Sequence, residues 1–153
     1  VLYIKEHYPE IFSDLEFRFV GDGVLFDETL SPIKDLENVT IERTFLKQED
    51  IAALHKAYGL FLSPTRMDSQ GVSRDEAMSS GLVSLTNNIT AIPEFVDRSC
   101  AILADADDHE ALAEGIIALY IKTRTCFWKC LKMLHREYVN RVDMHRRSPK
   151  NWI

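Results

Sequence analysis

The chain has 153 residues, 46% of them hydrophobic, which suffices for one domain with a buried core. Residues 1–121 carry 9 basic and 22 acidic side chains, a net charge of −13, which argues against a nucleic-acid binder. No apolar run is long enough to span a membrane and no signal peptide is evident, so we expect a cytoplasmic protein.

Three cysteines, Cys100, Cys126 and Cys130, are present without a metal-ligand spacing. An odd number of cysteines in this arrangement is typical of reduced, intracellular thiols rather than of a disulfide framework. We therefore expect neither disulfides nor a bound metal.

The first part of the chain alternates between helical and strand patterns. In chain order it predicts a helix from Leu2 that closes at Pro9, a strand at 15–20, a weak helix at 27–36, a strand at 39–44, a helix at 48–58 and a short strand at 60–62. Gly59 closes the helix at 48–58.

The alternation continues to about residue 122. The pattern predicts a helix at 72–80, a buried strand at 82–86, a helical turn at 92–96, a strand at 101–103 and a helix at 109–122. Gly81 is expected to cap the helix at 72–80 in a left-handed conformation. Strict alternation with short loops predicts an α/β fold: a Rossmann-like parallel sheet with helices on both faces. Ligands of such sheets lie at the carboxyl ends of the strands.

Residues 61–81 combine a buried strand, a polar loop and the start of a helix. The free N–H groups of a helix start suit a phosphate, and the nearby carboxylates of Asp68 and Glu76 can accept hydrogen bonds from hydroxyl groups. This pattern predicts a site for a phosphorylated sugar or a nucleotide. Other interpretations stay open: Ser73 and Glu76 fit a capping box, and Asp68 could simply form a turn. Arg66 and Arg74 could help to neutralise a phosphate, although Arg74 is more simply interpreted as a surface residue.

Five motifs occur in a fixed order. They are Gly21-Asp22-Gly23, Ser63-Pro64-Thr65-Arg66, Glu76-Ala77-Met78-Ser79-Ser80-Gly81, Thr86-Asn87 and Ile92-Pro93-Glu94-Phe95-Val96. Over residues 2–121 the chain resembles the C-terminal, donor-binding half of a retaining GT-B glycosyltransferase of the family-4, or group 1, type. That family has two glutamates separated by seven residues; here Asp68 replaces the first and Glu76 is the second.

The resemblance assigns roles to individual residues. It implies that Asp68, with the backbone N–H groups of Gln70, Gly71 and Val72, holds hydroxyls of the donor sugar, and that Glu76 binds the nucleotide ribose. It also implies that Leu46 contacts the nucleobase and that Asp22 and Gly23 belong to the loop that borders the same pocket. At Gly71 the missing Cβ is expected to let the ligand approach the backbone closely.

The same resemblance implies a reaction. It is retaining, metal-independent glycosyl transfer from a nucleotide-diphosphate sugar to a polysaccharide or lipid-linked acceptor, with no further cofactor. The family's N-terminal domain and the first strand of this domain are expected to precede residue 1, so this chain alone is expected to be inactive. Alternatives are a sugar-nucleotide epimerase of the same architecture, a non-catalytic nucleotide or sugar-phosphate binding module and, more weakly, a receiver-like signalling domain.

Residues 122–153 form a second predicted region, a C-terminal helix followed by a poorly ordered basic tail. They carry 9 basic and 2 acidic side chains, a net charge of +7. The basic face could contact an anionic membrane at the inner surface or a partner domain, or it could simply be a solvated helical face.

Overall fold

The chain folds as two parallel sheets flanked by helices, in a computed structural model that describes residues 1–124. Its first elements are α1 (Leu2–His7), α2 (Pro9–Ser13), β1 (Phe17–Gly21), α3 (Phe26–Leu30), a 3₁₀ turn (Ser31–Ile33), β2 (Val39–Arg43) and α4 (Gln48–His55). The elements that follow are β3 (Leu60–Ser63), α5 (Val72–Ser79), β4 (Val83–Asn87), α6 (Ile92–Phe95), β5 (Ala101–Ala104) and α7 (109–124). The predicted alternation of helices and strands is confirmed.

The predicted closure of the first helix before Pro9 is confirmed, since α1 ends at His7, but a second helix that was not predicted begins there. Pro9 is the first residue of α2. Proline is tolerated at this position because the first N–H groups of a helix have no intrahelical partner. Further along, Gly81 adopts the predicted left-handed conformation, with φ 90°.

All strand pairs within residues 1–124 are parallel. Strand β1 pairs with β2, aligning Phe17 with Val39. In the second sheet β4 is central, flanked by β3 and β5. Within residues 1–124 no backbone ladder joins the two sheets, so the single predicted sheet is divided into two hydrogen-bonded parts.

Most of the buried apolar core lies around β4 and β5. Its members come from α5, β4, α6, β5 and α7 and the adjoining turns: Ala77, Leu82, Leu85, Ile92, Val96, Ala101, Leu103, Ala104, Leu112, Ala113, Ile116 and Ile117. Gly115 lets α7 pack closely, because a Cβ there would lie 2.8 Å from Ile102 Cγ2. By contrast β1, β2 and β3 contain no fully buried residue.

The chain divides into two compact units, Val1–Ile117 and Ala118–Ile153. In the second unit, Arg124 Nη1 donates a hydrogen bond to the Tyr120 hydroxyl at 2.6 Å. Apart from residues 122–124, the predicted C-terminal helix and basic tail lie outside the described residues, as do Cys126 and Cys130. Cys100 is an exposed free thiol.

Candidate functional site

A cleft of about 350 Å³ lies between α4 and α5 in the first unit. Helix α4 contributes side chains at four positions that share one helical face, and α5 and its flanking residues supply the opposite wall. The lining residues are Gln48, Ile51, Ala52, His55, Gln70, Val72, Asp75, Glu76, Ser79 and Ser80. The cleft combines apolar surface with carboxylate, amide and hydroxyl groups, which suits an organic ligand that carries several hydroxyls.

Glu76 is the carboxylate at the centre of the α5 wall. Its Oε1 accepts a long hydrogen bond of 3.4 Å from Gln48 Nε2, across the cleft. The alternative that Glu76 serves a capping box is wrong, since the helix begins after Gly71 and has no side-chain cap. The Glu76 carboxylate therefore has capacity to accept hydrogen bonds from a ligand.

The amino end of α5 supplies free backbone donors beside the cleft. Gly71 is the N-cap, with φ 77°, and its carbonyl accepts the first helical hydrogen bond from the Asp75 N–H at 3.0 Å. Within residues 1–124 the N–H groups of Gly71, Val72 and Ser73 have no hydrogen-bond acceptor. Together with the helix dipole, three such donors form a place where a phosphate can bind.

Asp68 is anchored through its backbone rather than its side chain. Its N–H donates to Thr90 Oγ1 at 3.2 Å, and the same hydroxyl donates to the Asp68 carbonyl at 2.7 Å. Thr90 holds a left-handed conformation, with φ 50°. The Asp68 carboxylate is half-buried and has no hydrogen-bond or ion-pair partner in the described part of the chain. It is thus held in place yet available.

The loops after β3, β4 and β5 are joined by side chains. Buried Asn87 accepts a hydrogen bond from the Thr65 N–H at 3.0 Å and donates to the Asp105 carbonyl at 2.9 Å. Arg66 Nε donates to Asp107 Oδ1 at 2.8 Å, and this contact raises the pKa of Arg66. The segment that carries Asp68 is therefore braced against both neighbouring loops.

The family of the chain follows from a comparison with protein-family models. The model for glycosyl transferases group 1 matches residues 1–122. The chain belongs to the group 1 glycosyltransferases. A search of curated proteins found no match to it. The resemblance and the fold class expected from the sequence are confirmed, and glycosyl transfer from a sugar donor to an acceptor is the general activity of this glycosyltransferase family.

The glycosyltransferase chain brings three predicted site residues, Gln70, Val72 and Glu76, to one cleft. Gly71 and Asp68 belong to the loop that leads into α5 but do not line the cleft. Leu46 is half-buried in the segment between β2 and α4, two residues before Gln48. The roles that the resemblance gives these residues stay predictions.

Asp22 and Gly23 lie after β1, exposed, and are not among the lining residues of the cleft. Asp22 Oδ1 accepts hydrogen bonds from Arg43 Nε and from the Gly23 N–H, both at 2.8 Å. These two donors, the guanidinium above all, lower the pKa of the Asp22 carboxyl. Arg43 also donates to Asp27, so these four residues form an exposed cluster at the end of the first sheet.

Two residues that line the cleft, Gln48 and His55, were not predicted from the sequence. They follow a detectable signal, because positions 48, 51, 52 and 55 have the spacing of one helical face. His55 is 8% exposed and its Nδ1 lies 3.2 Å from Ser80 Oγ. The prediction that Arg74 lies at the surface is wrong, since it is only 2% exposed.

Within residues 1–124 no group of three or more His, Cys, Asp or Glu side chains is arranged to hold a metal ion. No helix in the same range is long and apolar enough to cross a membrane.

Proposed function

We propose that this chain binds a nucleotide-diphosphate sugar and supplies the donor half of a retaining, metal-independent glycosyltransferase site. One observation carries the proposal: the uncapped amino end of α5 opens beside a cleft whose wall contains the Glu76 carboxylate. The diphosphate would accept hydrogen bonds from the free N–H groups at residues 71–73, and the nucleoside would occupy the cleft.

Glu76 is the proposed ribose ligand. A ribose presents two adjacent hydroxyl donors, and a carboxylate presents two acceptor oxygens at a matching separation. The 3.4 Å contact with Gln48 is long for a hydrogen bond, so a ribose can displace it at little cost. Leu46, close in sequence to Gln48, is the proposed contact of the nucleobase, and the loop with Asp22 and Gly23 is proposed to border the pocket.

Asp68 and the loop that follows it are the proposed sugar site. The Asp68 carboxylate, which has no partner within residues 1–124, can accept hydrogen bonds from sugar hydroxyls. Of the three backbone N–H groups that the resemblance assigns to the sugar, we propose that Gln70 donates to a sugar hydroxyl and that Gly71 and Val72, at the helix start, donate to the diphosphate. Thr90 holds the Asp68 backbone through two hydrogen bonds, which limits the entropy lost when the sugar binds.

Charge stabilisation is the catalytic contribution that these residues could make. As the bond to the sugar breaks, negative charge builds on the departing diphosphate, and fixed N–H dipoles at the start of α5 stabilise it. The acceptor, proposed to be a polysaccharide or a lipid-linked saccharide, and the proposed N-terminal domain would complete the site. This chain alone is therefore proposed to bind a donor without turnover.

Calorimetric titration of the chain with UDP, GDP and ADP tests this proposal. We expect one of the three nucleotides to bind. The Glu76→Gln variant should bind that nucleotide about tenfold more weakly, since one hydrogen bond to a charged group is lost. Glu94→Gln is the matched control, because Glu94 is an exposed carboxylate on α6. If no nucleotide binds, or if Glu76→Gln binds as tightly as the wild type, the ribose role of Glu76 is wrong.

The corresponding nucleotide sugars extend the same titration to Asp68. We expect Asp68→Asn to lower the affinity for the nucleotide sugar and to leave the affinity for the nucleoside diphosphate unchanged. Equal losses for both ligands would indicate that Asp68 only maintains the loop.

A further inference from the structure

Arg74 is a buried arginine on the first turn of α5. It is 2% exposed, and its guanidinium folds back against the loop that precedes the helix. Nη2 donates to the carbonyl oxygen of Gln70, and Nε and Nη2 donate to Asp75 Oδ1 at 3.0 and 2.8 Å. The guanidinium carbon lies 5.8 Å from the ring centroid of Phe95. Several contacts therefore fix its position.

The contact with Gln70 determines the direction of one peptide group. The peptide bond between Gln70 and Gly71 is trans, so its carbonyl oxygen and its N–H point in opposite directions. Because the carbonyl points to the buried guanidinium, the Gly71 N–H points away from it. Gly71 N–H is one of the donors at the start of α5 that have no acceptor within the described residues.

Arg74 cannot itself act as a ligand contact in this arrangement. Its Nη1 is buried and has no hydrogen-bond partner among residues 1–124, and no part of the side chain lines the cleft. A buried guanidinium with an unpaired nitrogen costs free energy, so an apolar side chain would serve the fold at least as well. What an apolar side chain could not do is hold the Gln70 carbonyl.

We propose that Arg74 is a positioning residue for donor binding: by holding the Gln70 carbonyl it presents the Gly71 N–H to the diphosphate of the donor. The inference rests on the proposed function and adds a residue to it. Arg74 acts through the backbone and touches no substrate. The ribose and base contacts, which lie on other groups, do not depend on it.

Two ligands separate this role from a general structural one. The probes are whichever of UDP, GDP and ADP the wild type binds best, titrated by calorimetry, and the corresponding nucleoside, titrated by NMR. We expect Arg74→Met to lower the affinity for the nucleoside diphosphate about tenfold, because one charge-assisted hydrogen bond is lost. The affinity for the nucleoside should stay unchanged. Arg74→Lys, which keeps one donor near Gln70, should fall between the wild type and Arg74→Met.

Arg98→Met is the matched control, since Arg98 is exposed and lies outside the site. Circular dichroism of each variant verifies that it is folded before the titration. The inference is overturned if Arg74→Met binds the diphosphate as the wild type does, or loses both ligands equally. A wild type that binds none of the three nucleoside diphosphates would instead overturn the proposed function, and the inference with it.

Discussion

Gly71 has to be a glycine for two reasons that lie within the protein. Its φ of 77° falls in the left-handed region, which other residues adopt at a cost. A Cβ at this position would lie 2.7 Å from Arg74 Nη1 and 2.8 Å from Arg74 Cζ. The sequence predicts that Gly71 is needed for close approach of a ligand. The structure adds a second need for glycine, which applies even when no ligand is bound.

Gly71→Ala tests how much of the requirement for glycine comes from the left-handed backbone and how much from the space that Arg74 occupies. In the wild-type background we expect the free energy of unfolding to fall by about 2 kcal/mol, from backbone strain and from displacement of the guanidinium. In an Arg74→Met background only the strain remains, because methionine has no atoms at the guanidinium position, and the loss should be about 1 kcal/mol. Urea unfolding of the four proteins measures both values. Equal losses in the two backgrounds would show that Arg74 does not compete for this space.

At the same scale, the sequence grouped residues that line one cleft but did not predict their contacts. Glu76 and Gln70 could be grouped because their spacing within the motif is visible along the chain. The burial of Arg74 could not be predicted, because charge normally predicts exposure, and only the folded loop reveals a carbonyl at hydrogen-bonding distance. The pairing of Gln48 with Glu76 depends on how α4 packs beside α5, which no local pattern encodes.

Among the elements, α1 and α7 are connected by two tyrosines that share one carboxylate oxygen. The hydroxyls of Tyr3 and Tyr8 donate to Glu114 Oε1 at 2.9 and 2.8 Å. The hydrogen bond to Glu114 raises the pKa of Tyr3 to about 12, aided by partial burial and by the negative charge of that carboxylate. The pKa of Tyr8 is raised for the same reasons.

These raised pKa values predict that the protein loses stability at alkaline pH. The folded state keeps the phenol protons to higher pH than the unfolded chain, in which a tyrosine titrates near pH 10. The contribution of these phenols to the free energy of unfolding is therefore complete below about pH 10 and is lost as the pH rises toward 12. Urea unfolding between pH 8 and 12 should show a decline that Tyr3→Phe reduces. Tyr58→Phe, at a half-buried position elsewhere, should retain the full decline.

The order and type of the elements could be predicted from the chain, whereas their hydrogen bonding could not. Strand β5 is an apolar run between turn residues, and α4 carries apolar side chains at helical spacing. The start of α2 at Pro9 was missed because proline ends one helix and begins another equally well. The division of the sheet depends on pairing between distant strands, which periodicity does not encode.

For the first unit as a whole, that division implies two regions of unequal stability. Strands β4 and β5 contain most of the buried strand residues, with Leu85 and Ser84 fully inaccessible. Strands β1 and β2 have only half-buried or exposed residues, and within residues 1–124 they share no ladder with the other sheet. A region with few buried apolar contacts and its own hydrogen-bond network can open without unfolding the rest.

Amide hydrogen exchange under native conditions should therefore show two opening free energies in this unit, the lower one for β1 and β2. Phe19→Ala, in the half-buried β1, should speed exchange in that sheet and leave β4 and β5 unchanged. Leu85→Ala should lower the global stability by about 3 kcal/mol and so speed exchange in β4 and β5 as well, because a fully buried side chain is removed from the core. If all five strands exchange with one opening free energy, and Phe19→Ala affects them equally, the two sheets unfold as one cooperative body despite having no ladder in common.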